Sequence, residues 1–172
     1  MAAYAGIGSR ETPNDVLAAF ERLGYWLAHK DYILRSGHAD GADSAFERGC
    51  AKANGAMEIY LPWNGFNGST SEFVLKDDDD AINIASRFHP AFDRLSQGAQ
   101  KLQARNSYQV LGYGLDTPSA FIICWTKNGK GSGGTGQAIR LASEYSVPVF
   151  DFGKFDEIED GKKEFNAFFK SL

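Results

Sequence analysis

Two arrangements of hydrophobic residues alternate along this chain, one continuous and one periodic. Short continuous apolar runs predict buried β-strands at residues 2–7, 32–34, 58–61, 120–125 and 147–150. Between the first three runs, apolar residues recur every three or four positions, as on one face of a helix. These helical segments start at Thr12-Pro13, with Thr12 as the cap, and at Asp40, and the second ends at Asn54-Gly55. Trp26, in the first segment, is expected in the core. This order predicts an α/β fold with a mainly parallel sheet of at least five strands.

A long polar insertion, residues 63–118, separates the third predicted strand from the fourth. Its periodic parts predict helices over residues 77–88 and 92–111, interrupted at His89-Pro90. A closing helix is expected over 163–171, broken upstream by Gly161. No repeat or linker divides the sequence, so residues 1–172 are predicted to form a single domain.

Composition and charge narrow the class of protein. The chain has 172 residues, 43% of them hydrophobic, and a net charge of −4, which does not favour an overall nucleic-acid-binding surface. Cys50 and Cys124 lack metal-ligand spacing, and no metal site is expected. No apolar run has the length of a membrane span, and Met1-Ala2-Ala3-Tyr4 does not look like a signal peptide. We therefore expect a cytoplasmic protein.

The segment after the fourth predicted strand carries the strongest functional signal. Residues 127–136 are rich in glycine and lead into a helical pattern that begins near Ala138. Free backbone N–H groups and the partial positive charge at a helix N-terminus favour phosphate. Glycines let the backbone approach the anion closely. The predicted phosphate-binding residues are Ser132, Gly133, Gly134, Thr135 and Gly136.

Three other loops are predicted to lie beside this segment, because ligands of parallel sheets bind beyond the carboxyl ends of the strands. The first supplies Gly8, Ser9 and Arg10, whose planar guanidinium suits phosphate, although Ser9 also fits a turn and Arg10 a surface ion pair. Ser36 and Gly37 would add backbone donors. Trp63 has two equal interpretations, stacking on a nucleobase or sealing the insertion against the core.

Acidic residues and an Arg-Asn pair complete the candidate site. Asp40 and Asp43 are tentative catalytic groups that would hold a ribose hydroxyl or position water, but the first also suits a helix cap and the second a first helical turn. Arg105 and Asn106 would reach a phosphate or ribose from the insertion, or form a polar helix face. The run of four aspartates at 77–80 is interpreted as a solvated helix start.

The sequence resembles the SLOG superfamily, which contains DNA-processing protein A (DprA), the Lonely-guy (LOG) phosphoribohydrolases and the molybdenum-cofactor carriers. The resemblance rests on residues 5–10, 34–43 and 131–136 and covers about residues 2–150. The whole chain looks most like small DprA-like proteins that phages and prophages often encode. The resemblance implies a Rossmann-like three-layer sandwich, a nucleotide-type ligand without an obligatory cofactor, and a homodimer or higher homo-oligomer.

Departures from the LOG pattern bear on catalysis. LOG enzymes carry Pro-Gly-Gly-x-Gly-Thr-x-x-Glu, where the Glu contributes to cleaving an N-glycosidic bond. Here Ser132, Gln137 and Arg140 replace the Pro, the Thr and the Glu. We therefore expect a protein that binds a nucleotide or a nucleotide-derived phosphorylated molecule as a sensor or carrier. The alternatives are an N-glycosidase that uses Asp40 or Asp43, and a mediator that binds single-stranded DNA.

Overall fold

The computed structural model describes all residues, 1–172, and contains one five-stranded sheet. Every pair of neighbouring strands is parallel, in the order β3-β2-β1-β4-β5. The strands are β1 (Ala3–Gly6), β2 (Ile33–Ser36), β3 (Met57–Ile59), β4 (Ile122–Cys124) and β5 (Val149–Asp151). The helices are α1 (Asn14–Ala28), α2 (Ala42–Lys52), α3 (Asp80–Phe88), α4 (Gln97–Leu111), α5 (Gly133–Glu144) and α6 (Ile158–Lys170). The α/β prediction is confirmed.

Side chains of the central strands alternate between two apolar cores. On β1, Tyr4 belongs to a core shared with α1, α2 and α6, whereas Ala5 belongs to a core shared with α4 and α5. On β4, Ile123 and Ile122 divide between the same two cores. This alternation follows the period of two in a strand, and it gives the three layers that the resemblance implies.

Helices α1 and α2 approach each other closely through two glycines. A Cβ at Gly49 would lie 1.8 Å from the carbonyl oxygen of Glu21, and one at Gly24 would lie 2.4 Å from that of Phe46. Neither position has room for a larger residue, because the obstructing atoms belong to the backbone. This contact sets the position of α2, whose N-terminal end faces the candidate site.

The insertion is helical, as predicted, but both of its helices start later than expected. The backbone N–H of Asp80 donates to Asp78 Oδ1 at 3.1 Å, so α3 begins at Asp80 and not at residue 77. The Ser96 hydroxyl accepts from the N–H of Ala99, which places the start of α4 at Gln97. Residues Phe92–Arg94 form a separate 3₁₀ turn.

Three further sequence-based expectations are wrong. Helix α6 continues through Gly161, where a Cβ would lie 2.9 Å from the Phe152 ring, so the glycine serves packing and not termination. Thr12 does not cap α1, because its hydroxyl donates to the Ser9 carbonyl oxygen and Pro13 precedes the helix. Trp26, expected in the core, is 38% exposed. None of the helices combines the length and the apolar character needed to cross a membrane.

Candidate functional site

A cleft of about 660 Å³ opens at the carboxyl edge of the sheet. Strands β1 and β4 are neighbours in the sheet. The connection after β1 leads to β2 on one side, whereas the connection after β4 leads to β5 on the other. Such a reversal separates two loops and creates a crevice where ligands of doubly wound sheets bind. Residues 7–11 after β1 and residues 132–135 at the start of α5 line the cleft.

The start of α5 presents backbone groups suited to an anion. Gly133 is the first helical residue, and the preceding Ser132 makes no side-chain cap. The first N–H groups of a helix have no intrahelical acceptor, so the α5 N-terminus offers unpaired donors to the cleft. Gly133 has a φ of 71° and Gly131 one of 62°, a backbone region that favours glycine.

Tight packing holds this glycine-rich turn from behind. A Cβ at Gly136 would lie 1.9 Å from the carbonyl oxygen of Gly131, so the turn closes onto the first helical turn. The N–H of Gly131 donates to the Thr126 hydroxyl at 2.9 Å, and Thr126 in turn bonds to the buried carboxylate of Asp151. Ser132, Gly133, Gly134 and Thr135 line the cleft, whereas Gly136 is buried beneath them.

Two cations and the loop after β1 complete this part of the cleft. Arg10 and Lys127 are exposed, line the cleft and form no ion pair with any carboxylate. The Ser9 hydroxyl accepts from the N–H of Glu11 at 2.9 Å, so Ser9 shapes the loop while lining the cleft. Gly8 allows the loop to approach α2, since a Cβ there would lie 2.8 Å from that of Ala42.

Arg105 is an internal anchor. It is only 4% exposed, and its Nη1 donates to the carbonyl oxygens of Gly37 at 2.6 Å and Tyr60 at 2.9 Å. Its Nε donates to Asn106 Oδ1, and Asn106 Nδ2 donates to the carbonyl oxygen of Gly134 at 3.3 Å. The pair therefore ties α4 to the ends of β2 and β3 and to the glycine-rich turn.

Asp43 is the titratable group whose environment stands out. It is 4% exposed, lines the cleft, and accepts a hydrogen bond from the N–H of Ala39 at 3.3 Å. Burial raises the pKa of its carboxyl from 3.8 to about 6, against the opposing charge of Arg105. Burial likewise lowers the pKa of Arg105 to about 10. A carboxyl that titrates near neutrality within a cleft suits proton transfer.

Asp40 differs from Asp43 in position and environment. Helix α2 starts at Ala42 after Gly41, whose φ is 88°, so Asp40 precedes the helix and does not cap it. A Cβ at Gly41 would lie 2.8 Å from the carbonyl oxygen of Ser9, and this close approach is the physical reason that the chain turns there. Asp40 is exposed and lines the cleft.

Besides Gly136, three predicted site residues lie outside the cleft lining. The Ser36 side chain is fully buried, and its hydroxyl donates to the carbonyl oxygen of Gly6. Gly37 is also buried and contributes its carbonyl oxygen to Arg105. Trp63 is 39% exposed and packs edge-on against Phe66, with ring centroids 5.4 Å apart.

Five residues of the insertion line the cleft although no sequence motif marked them as site residues. They are Phe66, Asn67, Leu102, Gln103 and Gln109. Leu102, Arg105, Asn106 and Gln109 are spaced as on one face of a helix. This periodicity is the sequence signal that predicts which residues of α4 lie together. No signal in the sequence distinguishes Phe66 from Trp63.

Other titratable groups lie apart or form no metal site. His38 contacts Glu47 through its Nδ1 at 2.7 Å, and neither residue lines the cleft. The structure has no group of three or more histidine, cysteine or acidic side chains arranged to hold a metal ion, including the run at 77–80.

Comparisons with known proteins address the fold. No protein-family model matches the sequence, and no curated protein matches it significantly. Several solved structures resemble it, including the following three. DNA-processing protein A from Helicobacter pylori, whose single-stranded DNA binding mode has been studied, has a TM-score of 0.59 at 17% identity over 99% of this chain and 81% of its own. The molybdenum cofactor carrier protein from Chlamydomonas reinhardtii has a TM-score of 0.57 at 17% identity, covering 100% and 88%.

The third structure, the structural-genomics target TM1055, has a TM-score of 0.55 at 19% identity over 87% of this chain and 72% of its own. The chain shares the Rossmann-like α/β fold of these three structures. At these identities the likeness concerns the fold alone, and the choice among ligand classes depends on the cleft.

Proposed function

We propose that this SLOG-fold protein binds a nucleotide or a nucleotide-derived phosphorylated small molecule and releases it intact, as a sensor, carrier or sequestering protein does. The observation that carries this proposal is the α5 N-terminus, which has no side-chain cap and lies in the cleft between the loops after β1 and β4. Two cations without an ion-pair partner, Arg10 and Lys127, line the same cleft. Backbone donors, the helix dipole and an exposed cation together suit a phosphate.

The size of the cleft supports a small ligand. Its volume of about 660 Å³ lies in the range of pockets that enclose small molecules and cofactors. The molybdenum cofactor carrier is a protein of the same fold whose name states that it carries a small molecule. In this proposal Gly8, Ser9 and residues 132–136 bind the phosphate of the ligand.

The charges of the cleft argue against a long polyanion as the principal ligand. Three cations line it, Arg10, Arg105 and Lys127, and Glu11, Asp40 and Asp43 supply an equal number of carboxylates. Single-stranded nucleic acid binds instead along continuous basic grooves with stacking aromatics. Single-stranded DNA therefore remains an alternative suggested by the fold of DNA-processing protein A and not by the cleft itself.

A second candidate function rests on Asp43. Its raised pKa and its place in the cleft suit a general acid that protonates a leaving base during N-glycosidic hydrolysis. The carboxylate that LOG enzymes supply is missing, because Arg140 stands at that position and its Nε donates to the carbonyl oxygen of Phe88. Arg140 does not line the cleft, and no other residue of α5 supplies a carboxylate to it.

One assay separates the two functions. The purified protein is screened for thermal stabilisation by ribonucleoside mono-, di- and cyclic phosphates, and each mixture is then analysed by chromatography. A bound ligand raises the melting temperature by mass action. We expect stabilisation with the nucleotide recovered intact. Release of free base, lost in Asp43→Asn, would establish the hydrolase, and binding of oligonucleotides alone would favour the DNA mediator.

Oligomerisation is a separate proposal, since the relatives suggested by the sequence resemblance commonly dimerise. Phe92 and Tyr108 are buried within the insertion and are not available as an interface. Sedimentation velocity of the full chain tests the proposal: a single species at the monomer mass across micromolar concentrations would exclude it.

A further inference from the structure

The cleft has two chemically different sides. The α5 side carries the backbone donors at Gly133–Thr135 together with Arg10 and Lys127. A second part of the lining comes from α4 and the turn after β3, and besides Arg105, Asn106 and Gln109 it contains Phe66, Asn67, Leu102 and Gln103. We call these last four residues the α4 wall. A phosphate needs only the first side. The residues of the α4 wall therefore indicate which chemical groups the rest of the ligand carries.

Gln103 joins the two sides. Its Nε2 lies 3.3 Å from where a Cβ would stand at Gly134, so the amide is adjacent to the helix N-terminus. Its Oε1 is buried and accepts no hydrogen bond from the protein. A buried acceptor without a donor is unfavourable, and a ligand that supplies the donor relieves that cost. A phosphate oxygen has no proton to give, whereas a sugar hydroxyl beside the phosphate does.

Phe66 provides the apolar part of the wall. Contacts on two sides hold its ring: the Arg105 guanidinium lies 5.4 Å from its centroid, and the Trp63 ring meets it edge-on at 84°. The adjacent Asn67 is also fixed, because its Nδ2 donates to the carbonyl oxygen of His38 at 3.1 Å. A partly exposed ring that is ordered before binding suits the π-face of a heterocycle.

The geometry points to the α4 wall as the nucleoside-specificity surface of the cleft: Gln103 accepts a hydrogen bond from a ribose hydroxyl, while Phe66 and Leu102 cover the base. This inference rests on the proposed phosphate site and adds the ligand class, a ribonucleoside 5′-phosphate and not a sugar phosphate or a deoxynucleotide. Trp63, for which the sequence left stacking on a base and sealing the insertion as equal interpretations, has no direct role in it, because it does not line the cleft.

Calorimetric titration of the full-length protein tests this inference. The probes are the four ribonucleoside 5′-monophosphates, their 2′-deoxy and 3′-deoxy analogues, and ribose 5-phosphate. The variants are Phe66→Ala and Gln103→Leu. Their matched controls are Tyr145→Ala, at an exposed aromatic residue outside the cleft lining, and Gln97→Leu. Circular dichroism melting verifies that each variant is folded.

We expect the best ribonucleotide to bind at least about tenfold more tightly than ribose 5-phosphate, by an amount typical of base stacking. Phe66→Ala should remove about tenfold in affinity for the nucleotide and leave ribose 5-phosphate unchanged. Gln103→Leu should abolish discrimination against at least one deoxy analogue. Both controls should bind as the unaltered protein does.

Two contrary results have different meanings. If ribose 5-phosphate binds as tightly as every nucleotide, and Phe66→Ala changes neither, the role of the α4 wall is refuted while the phosphate site stands. If no phosphorylated probe binds at all, the phosphate site itself is refuted, and the inference falls with it.

Discussion

The Arg105 guanidinium donates to the carbonyl oxygen of Gly37 at 2.6 Å, across 68 positions of sequence. A Cβ at residue 37 would lie 2.6 Å from Arg105 Nη1, so a larger residue there would displace the end of the Arg105 side chain. Through this bond and the one to Tyr60, Arg105 fixes the helix that forms one wall of the cleft against the strands that form its floor. Arg105 therefore positions the site as well as lining the cleft.

Replacing Arg105 should destabilise the fold. Arg105→Met leaves the carbonyl oxygens of Gly37 and Tyr60 without their donor and the buried Asp43 carboxyl without its counter-charge. Loss of one partner of a buried pair typically costs about 3–5 kcal/mol. Urea unfolding at pH 7 measures this loss, with the exposed Arg94→Met as the control. A loss below about 1 kcal/mol would show that Arg105 is not an anchor.

Asp43 should make stability depend on pH. In the unfolded chain its carboxyl titrates near its ordinary pKa of 3.8, whereas in the folded protein burial raises the pKa to about 6. Because the folded state binds the proton more tightly, this contribution is complete below about pH 4 and is lost as the pH rises through 6. The difference between the two pKa values corresponds to roughly 3 kcal/mol.

Unfolding free energies of the unaltered protein and of Asp43→Asn, measured from pH 4 to pH 7, isolate this effect. The unaltered protein should lose stability relative to Asp43→Asn across that interval, by roughly 3 kcal/mol. Asp40→Asn, at the exposed neighbour on the same cleft, should show no such trend. Parallel pH profiles for the unaltered protein and Asp43→Asn would contradict the assignment.

Two glycine substitutions with opposite expected signs test the packing of the helices. Gly49→Ala would place a methyl group 1.8 Å from the Glu21 carbonyl oxygen and should cost about 1–3 kcal/mol or more. At Gly98 on α4 the nearest atom to an added Cβ is 3.8 Å away, so Gly98→Ala should be neutral or stabilising by up to about 1 kcal/mol. Thermal unfolding compares the two, and a stabilised Gly49→Ala would show that α1 and α2 pack differently.

The two free cations should govern how binding depends on salt. Arg10→Ala and Lys127→Ala should each weaken binding of the best nucleotide by about tenfold and flatten its dependence on ionic strength, because each removes a charge from the phosphate site. Lys130→Ala, at an exposed lysine that does not line the cleft, is the matched control. Equal effects of all three substitutions would indicate a general charge effect instead of a site.

The sheet and its ligand edge were predictable because their signals are local. Apolar runs identify the strands, and the glycine-rich segment at the start of α5 indicates a candidate anion site whatever surrounds it. The positions of Asp40 and Asp43 relative to α2 were harder to predict. The helix starts at Ala42 and not at Asp40, and this two-residue shift depends on the contact between Gly41 and the loop after β1.

The sequence did not predict which residues of α4 line the cleft, and the reason is physical. Which face of a helix meets a cleft depends on its rotation about its own axis, and here long-range bonds from Arg105 set that rotation. The Arg105 guanidinium also lies 5.4 Å from the centroid of the Phe66 ring, so the choice between Phe66 and Trp63 as the aromatic residue of the cleft required the tertiary structure. Gly161 shows the converse, because local helix propensity was outweighed by packing against Phe152.

The most direct test of the phosphate site is nucleotide binding by Gly134→Glu, compared with the unaltered protein and with Gln97→Glu. Both substitutions add one negative charge to the first turn of a helix, where it is compatible with folding, but only residue 134 lines the cleft. In calorimetric titration, Gly134→Glu should lose at least about a hundredfold in affinity for the best nucleotide, while Gln97→Glu should bind normally. Undiminished binding by a folded Gly134→Glu protein would contradict the account.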